Sequence, residues 1–339
     1  MPKPTLYPLT FEPVLKDYIW GGRNLETLFG RALPPGVDIA ESWEIAAHPH
    51  GDVTVANGPL RGRSLAWLTA EYGAALVGSY ARPGPFPLLV KLLDAHRKLS
   101  VQVHPDDAYA RVHENGELGK SEMWVVLHAE PEAAVILGLQ PGATRERFRE
   151  ALETGNLEPW MHVLPVRAGD AICVPAGTLH AILGGSVLAE IQQNSDATYR
   201  VYDWNRTGPD GRPRPLHVEK ALDVINFGQV QPGLAEPRLL DERAGIRRWQ
   251  LCCGPTFVVE RLEVAAGAVW QGACTGESME IWGSTRGHVT VEAAGASLAL
   301  PAVRFSLLPA GVGPFSVTAT EPATLLRATL RPVETEPVG

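Results

Sequence analysis

The sequence predicts a mainly β protein, a sandwich or barrel of short strands with a few surface helices. Three observations carry this reading. Short segments that alternate apolar and polar residues, or that are rich in β-branched and aromatic residues, recur along the chain. The 34 glycines and 29 prolines are spread through it, as tight turns between many strands require. Helical spacing interrupts the pattern at only three places.

Taken in order, the first strand candidate is DVTVANGPL at 52–60, followed by a helix over SLAWLTAE at 64–71. Strands then fall at KLSVQVHP (98–105), EMWVVLHA (122–129) and AAVILGL (133–139). The stretch TRERFREALET at 144–154 opens on Thr144, carries its charges at helical spacing and meets Gly155 as a stop signal. DAICVPAG at 170–177 reads as a strand and HVEKALDVIN at 217–226 as a helix. FVVERLEV (257–264), HVTVEAA (288–294) and SLALPAV (297–303) are the later strands. The Pro- and Gly-rich stretch QVQPGLAEP puts a domain boundary near 235, giving 1–235 and 236–339.

A weak internal echo links DAICVPAGTLHAI at 170–182 with FSLLPAGVGPFSV at 305–317. One reading is a common strand–turn–strand composition. The other is two related barrels, the first carrying His180 where the second carries Phe315. Phenylalanine cannot ligate a metal, so a second barrel of this kind is a structural lobe without the site.

Composition excludes some functions. Hydrophobic content of 45% and charged content of 20% are ordinary for a globular protein. No run of eighteen apolar residues marks a membrane span. The N-terminus lacks an apolar signal core, so the expected location is the cytoplasm. A net charge of −8 argues against non-specific nucleic-acid binding but leaves room for a phosphorylated ligand, which needs only two or three local cations. Cys173, Cys252, Cys253 and Cys274 form no CxxC pair; they read as reduced core thiols and not as a metal site.

Two of the ten histidines stand out by their settings. In KLSVQVH, residues Ser100, Gln102 and His104 share one strand face while Leu99, Val101 and Val103 share the other. The polar face looks either at solvent or into an interior where a metal and a polar ligand satisfy it. Glu122 opens the next strong strand, and His180 follows the PAGTL turn at the start of another. Two imidazoles, a carboxylate and an amide oxygen make a borderline-hard set that suits zinc or another divalent first-row metal.

Several motifs then resemble, in order, the type I mannose-6-phosphate isomerases in their short bacterial form. They are Trp20-Gly21-Gly22, Glu41-Ser42-Trp43-Glu44, Pro87 to Lys91, Leu99 to Pro105, Gly119 to Trp124, Pro175 to Ala181, and Glu190 to Arg200. The likeness runs from about Leu6 to Asn226 and weakens after about residue 235. It implies a cupin (double-stranded β-helix or jelly-roll) fold, with a catalytic domain over 1–235 and a cupin-like, metal-free lobe over 236–339. It implies one zinc ion per chain, held by Gln102, His104, Glu122 and His180. Arg200 and Glu190 match catalytic residues, Ser100 and Lys120 match residues linked to a substrate phosphate, and Lys91 matches a further pocket lysine. The implied activity interconverts mannose 6-phosphate and fructose 6-phosphate through a cis-enediol(ate). The partner is then a small sugar phosphate, with monomer and homodimer both open. Two alternatives remain: another metal-dependent cupin enzyme of dioxygenase type, and a non-catalytic sugar-binding cupin.

Overall fold

Burying the apolar segments requires partners for their backbone groups, and strands supply most of them. A computed structural model describes residues 4–208 and 211–332. The strongest sequence signals become the elements expected. EMWVVLHA is the strand Glu122–Ala129, AAVILGL gives Ala134–Leu139, and FVVERLEV is the strand Phe257–Val264. The 98–105 segment keeps only Val101–Val103 as strand, and the 52–60 segment breaks into the two-residue strands Gly51–Asp52 and Thr54–Val55.

The helices form where capping and periodicity agree. Arg145–Thr154 starts on Thr144, whose side chain accepts a hydrogen bond from the Arg147 N–H. Such a cap contributes about 1 kcal/mol. The helix ends at Gly155, which adopts φ +70°, a conformation glycine tolerates and L side chains resist. Leu65–Tyr72 is capped in the same way by Ser64, and Val218–Val224 forms within 217–226. The helix Asp107–His113 was not expected from the sequence; Asp106 caps it by accepting from the Tyr109 N–H.

Contacts divide the chain into two compact units. One groups 4–14, 43–91 and 236–332; the other groups 15–42 and 92–235. This grouping differs from a single cut near 235, because two N-terminal segments join the C-terminal residues.

In the second unit eight consecutive strands form two sheets. They are Leu88–Ala95, whose part from Leu92 belongs here, then Val101–Val103, Glu122–Ala129, Ala134–Leu139, Met161–Pro165, Ala171–Val174, His180–Ile182 and Ser186–Gln193. Numbered along this run, the sheet orders are 6-3-8-1 and 5-4-7-2, with Tyr199–Tyr202 added beside strand 2. In the first unit the eight strands from Phe257–Val264 to Ala323–Leu330 have the same two orders. The PAG turns of the internal echo both carry the chain from strand 6 in one sheet to strand 7 in the other.

Core packing fixes which way strand Val101–Val103 faces. Val101 and Val103 are fully buried in a cluster with Phe148 and Ala151 of one helix and Ala221 and Leu222 of another. Burying a side chain such as Phe148 is worth roughly 1.5–3 kcal/mol. The opposite, polar face therefore turns inward, and Ser100 and His104 are buried with it. The free thiols divide: Cys274 is buried, as a core thiol should be, whereas Cys253 is exposed.

Candidate metal centre

Antiparallel pairing in the second unit brings distant residues side by side. His180 faces Gln102 across the pair of strands 7 and 2, and Arg200 faces Gln102 from the other side. Glu122, Trp124 and Glu190 share one face of the other sheet, because Gln192 pairs with Glu122 and Glu190 with Trp124. His104, Glu122 and His180 each offer a ligand atom within 4.8 Å of the others, and all three are buried. Among the described residues no other group of three or more His, Cys, Asp or Glu side chains meets that criterion.

The hydrogen bonds set the imidazole tautomers. His104 Nδ1 donates to the Ala197 carbonyl at 2.8 Å, and His180 Nδ1 donates to the Thr178 carbonyl at 2.8 Å. Each ring therefore turns an Nε2 lone pair inward, the arrangement that orients histidine as a metal ligand. The His104 Nε2 lies 3.2 Å from Glu122 Oε1, the His180 Nε2 3.7 Å from Glu122 Oε2, and the Gln102 amide 3.3 Å from His180 Nε2. A half-turn of that amide puts its oxygen in the same place. Tetrahedral ligands about 2.1 Å from one ion stand roughly 3.4 Å apart, so these separations fit a shared divalent cation. Both Glu122 oxygens are buried without a hydrogen bond. Converging acceptors with unmet bonding capacity are what a cation site provides.

Electrostatics agree with this reading. Burial pushes the Glu122 carboxyl up, but the Lys120 ammonium and His104 outweigh it and hold the group well below the usual carboxylate range. Burial, then Lys120, pushes the His104 imidazole down; burial, then His104, pushes His180 down to about 3. Both rings are thus neutral donors near neutral pH, beside an ionised carboxylate. The Lys120 Nζ lies 3.0 Å from Glu122 Oε1 and 3.3 Å from His104 Nε2, so its charge stands at the ligand set itself.

The other sequence candidates take distinct places. Glu190 is buried, and its Oε2 accepts from the Trp124 indole at 2.9 Å. The Trp124 ring packs edge-on against His180, with centroids 5.5 Å apart. The Arg200 Nε donates to the Ser100 hydroxyl at 3.2 Å, and its Nη1 donates to the Pro215 carbonyl. Lys91 is buried in the first unit with its Nζ 5.0 Å from the Trp43 ring centroid. Asp203 takes Arg206 and Arg214. Missed residues surround Arg200. The His217 N–H donates to the Arg200 carbonyl, and Tyr199 and Lys220 both donate to Glu114. A basic and aromatic loop after the Arg200 strand was the available signal.

Comparison with known proteins follows the same line. A family model described as phosphomannose isomerase type I, catalytic domain, matches residues 9–135. A mannose-6-phosphate isomerase of Streptococcus mutans is 40% identical over 264 residues, covering 78% of this chain and 81% of that protein. One from Bacillus subtilis is 43% identical over 226 residues, covering 67% and 70%. The crystal structure of a Bacillus subtilis mannose 6-phosphate isomerase superposes with a TM-score of 0.86 at 34% identity, covering 95% of this chain and 99% of that one. The chain therefore belongs to the type I phosphomannose isomerase family and has that family's cupin fold.

Proposed function

We propose that the protein is a zinc-dependent mannose-6-phosphate isomerase acting in the cytoplasm. The observation that carries the reading is the buried convergence of His104, Glu122 and His180, with both Nε2 lone pairs turned toward an ionised carboxylate. The family and the relatives' shared activity support the substrate pair, mannose 6-phosphate and fructose 6-phosphate. Gln102 completes the ligand set. Among the described residues no helix is long and apolar enough to cross a membrane.

The unit of 15–42 and 92–235 is the catalytic one in this reading, and the eight C-terminal strands form a cupin-like lobe without a metal. A zinc ion held by Gln102, His104, Glu122 and His180 supplies Lewis acidity toward the sugar oxygens. The reaction moves a proton between C1 and C2 through a cis-enediol(ate), which needs a base and a way to hold negative charge as it develops. Arg200 holds a permanent cation beside Ser100 for that charge. Lys120 adds a second cation at the ligand set. Glu190, whose Oε2 accepts from the Trp124 indole, carries the proton in this reading. Ser100 holds the remote end of the substrate, so that binding there orients the reacting carbons.

The test is a coupled assay of fructose 6-phosphate formation from mannose 6-phosphate. Turnover with divalent metal, lost on chelation and restored by zinc, is the expected result. No turnover by metal-loaded, folded protein would refute the isomerase reading.

A further inference from the structure

The chain after Arg200 leaves the barrel and returns to it at Pro215 and His217, both of which bond Arg200. Two arginines from opposite arms of this excursion meet on one carboxylate. Arg214 forks onto Asp203 with Nε to Oδ2 at 2.8 Å and Nη2 to Oδ1 at 2.6 Å. Arg206 bonds the same Oδ1 at 2.5 Å. The excursion is pinned to the segment just before Ser100: Arg206 donates to the Lys98 carbonyl and Trp204 donates to the Leu99 carbonyl at 2.7 Å.

Charge does not balance here. Three guanidiniums less one carboxylate leave an excess of two positive charges. Burial, then Arg214 and Arg206, pulls the Arg200 guanidinium below its ordinary value, with Asp203 the one anion opposing them. Such a cluster is a ready receptor for a dianion, and guanidinium forks match phosphate geometry. A phosphate monoester carries about −1.5 to −2 charges. Position agrees as well. Ser100 lies two residues, about 7 Å of extended chain, from the ligand Gln102. Arg206 also lines an open cleft of about 540 Å³ with Arg97, Asn205, Thr207 and Gly208, which gives a ligand access.

We infer that Arg206 and Arg214, held in place by Asp203, form with Arg200 and Ser100 the subsite for the substrate's phosphate monoester, and that they set the preference for phosphorylated over free sugars. The inference rests on the isomerase reading. It separates the work of the cations: Lys120 serves the reacting end, Arg206 and Arg214 the phosphate end, and Arg200, bonded to Ser100, stands between them and faces the charge that develops in the reaction.

The test compares wild type with Arg206→Gln and Arg214→Gln, each checked for fold by circular dichroism and for metal content. KM for mannose 6-phosphate and Ki for inorganic phosphate should each rise at least tenfold, a larger change than any in kcat. The charge-retaining Arg214→Lys should fall between, which keeps the idea testable if a glutamine variant misfolds. Unchanged KM and Ki, with or without a lower melting temperature, would reduce the pair to a loop clamp and overturn the subsite. Calorimetric titration of inorganic phosphate into wild type separates the two levels. If wild type binds phosphate through these arginines yet does not isomerise the sugar, the isomerase reading fails and the subsite stands.

Discussion

Glu122 and Glu280 open the third strand of two runs that share both sheet orders, and their surroundings differ in a way that explains what a metal site needs. Both carboxylates are buried, and each is followed two residues later by a tryptophan, Trp124 or Trp282. Trp124 meets His180 edge-on, and Trp282 meets Phe315 at nearly the same distance and angle, 5.9 Å and 72°. His180 faces Gln102 in register; Phe315 faces Gly272. A Cβ at Gly272 would lie 2.4 Å from the Phe315 ring, so the ring fills the space a Gln102-like side chain would need. Cys274 stands where His104 stands, two residues on. Burial, then Glu280, pushes its thiol up to about 12.

The charge is settled differently too. Arg327 pairs in register with Trp282 as Glu190 does with Trp124. Its Nε donates to Glu280 at 2.8 Å and its Nη1 to Glu260 at 3.0 Å, while Trp282 donates to the same Glu280 oxygen. In the C-terminal run a side-chain cation closes the interior. In the other run the Glu122 oxygens have no hydrogen bond; Lys120 stands 3.0 Å from Oε1 as a single point charge, and two imidazole lone pairs face the same space. One strand order thus accommodates an interior closed by a hydrogen-bonded arginine fork or a candidate cation site, depending on whether the buried carboxylate's bonding capacity is used up inside the barrel.

Mutations can break this comparison. The largest effect is expected from Glu122→Gln, which should lower kcat/KM about a thousandfold, the equivalent of roughly 4 kcal/mol of transition-state stabilisation. The matched Glu280→Gln should leave kcat/KM unchanged; equal losses in both would mean the two sites are not distinct in function. Arg327→Met strands the buried Glu280 carboxylate, takes a partner from half-buried Glu260, and should cost about 3–5 kcal/mol of stability, read by denaturant unfolding, with activity per folded molecule retained. A loss below about 1 kcal/mol would show that Arg327 does not neutralise the interior. Arg200→Ala should lower kcat about a hundredfold while metal content stays at the wild-type level; an unaltered kcat removes Arg200 from the chemistry. The smallest effect is chemical. At pH 8 the exposed Cys253 should react with a thiol reagent, whereas Cys274, buried and almost wholly protonated, should react only on unfolding. Equal labelling of both in native protein would contradict the closed interior.

Much of this was legible in the sequence, and the physical reason for each success or miss is local. Glu122–Ala129 and Phe257–Val264 combine β-rich composition with clear boundaries, and Thr144 with Gly155 brackets a helix by capping chemistry alone. Ser186–Gln193 was missed because it is buried at every position, so no alternation marks it. Asp107–His113 is only seven residues long, and one capping aspartate was its main signal. Gln102, His104, Glu122 and His180 could be named from motif and strand alternation. The carbonyls of Ala197 and Thr178 that aim the imidazoles could not, because strand pairing across long sequence separations creates those contacts. The same holds for Asp203 with its two arginines.

Metal stoichiometry is the most direct test of the account. Elemental analysis of wild type, Glu122→Gln and Glu280→Gln, each purified and loaded with zinc in the same way, should give one tightly bound ion per chain in wild type and Glu280→Gln and essentially none in Glu122→Gln. Two ions per chain, or an ion that persists without the Glu122 carboxylate and leaves with Glu280, would place the metal elsewhere and contradict the site.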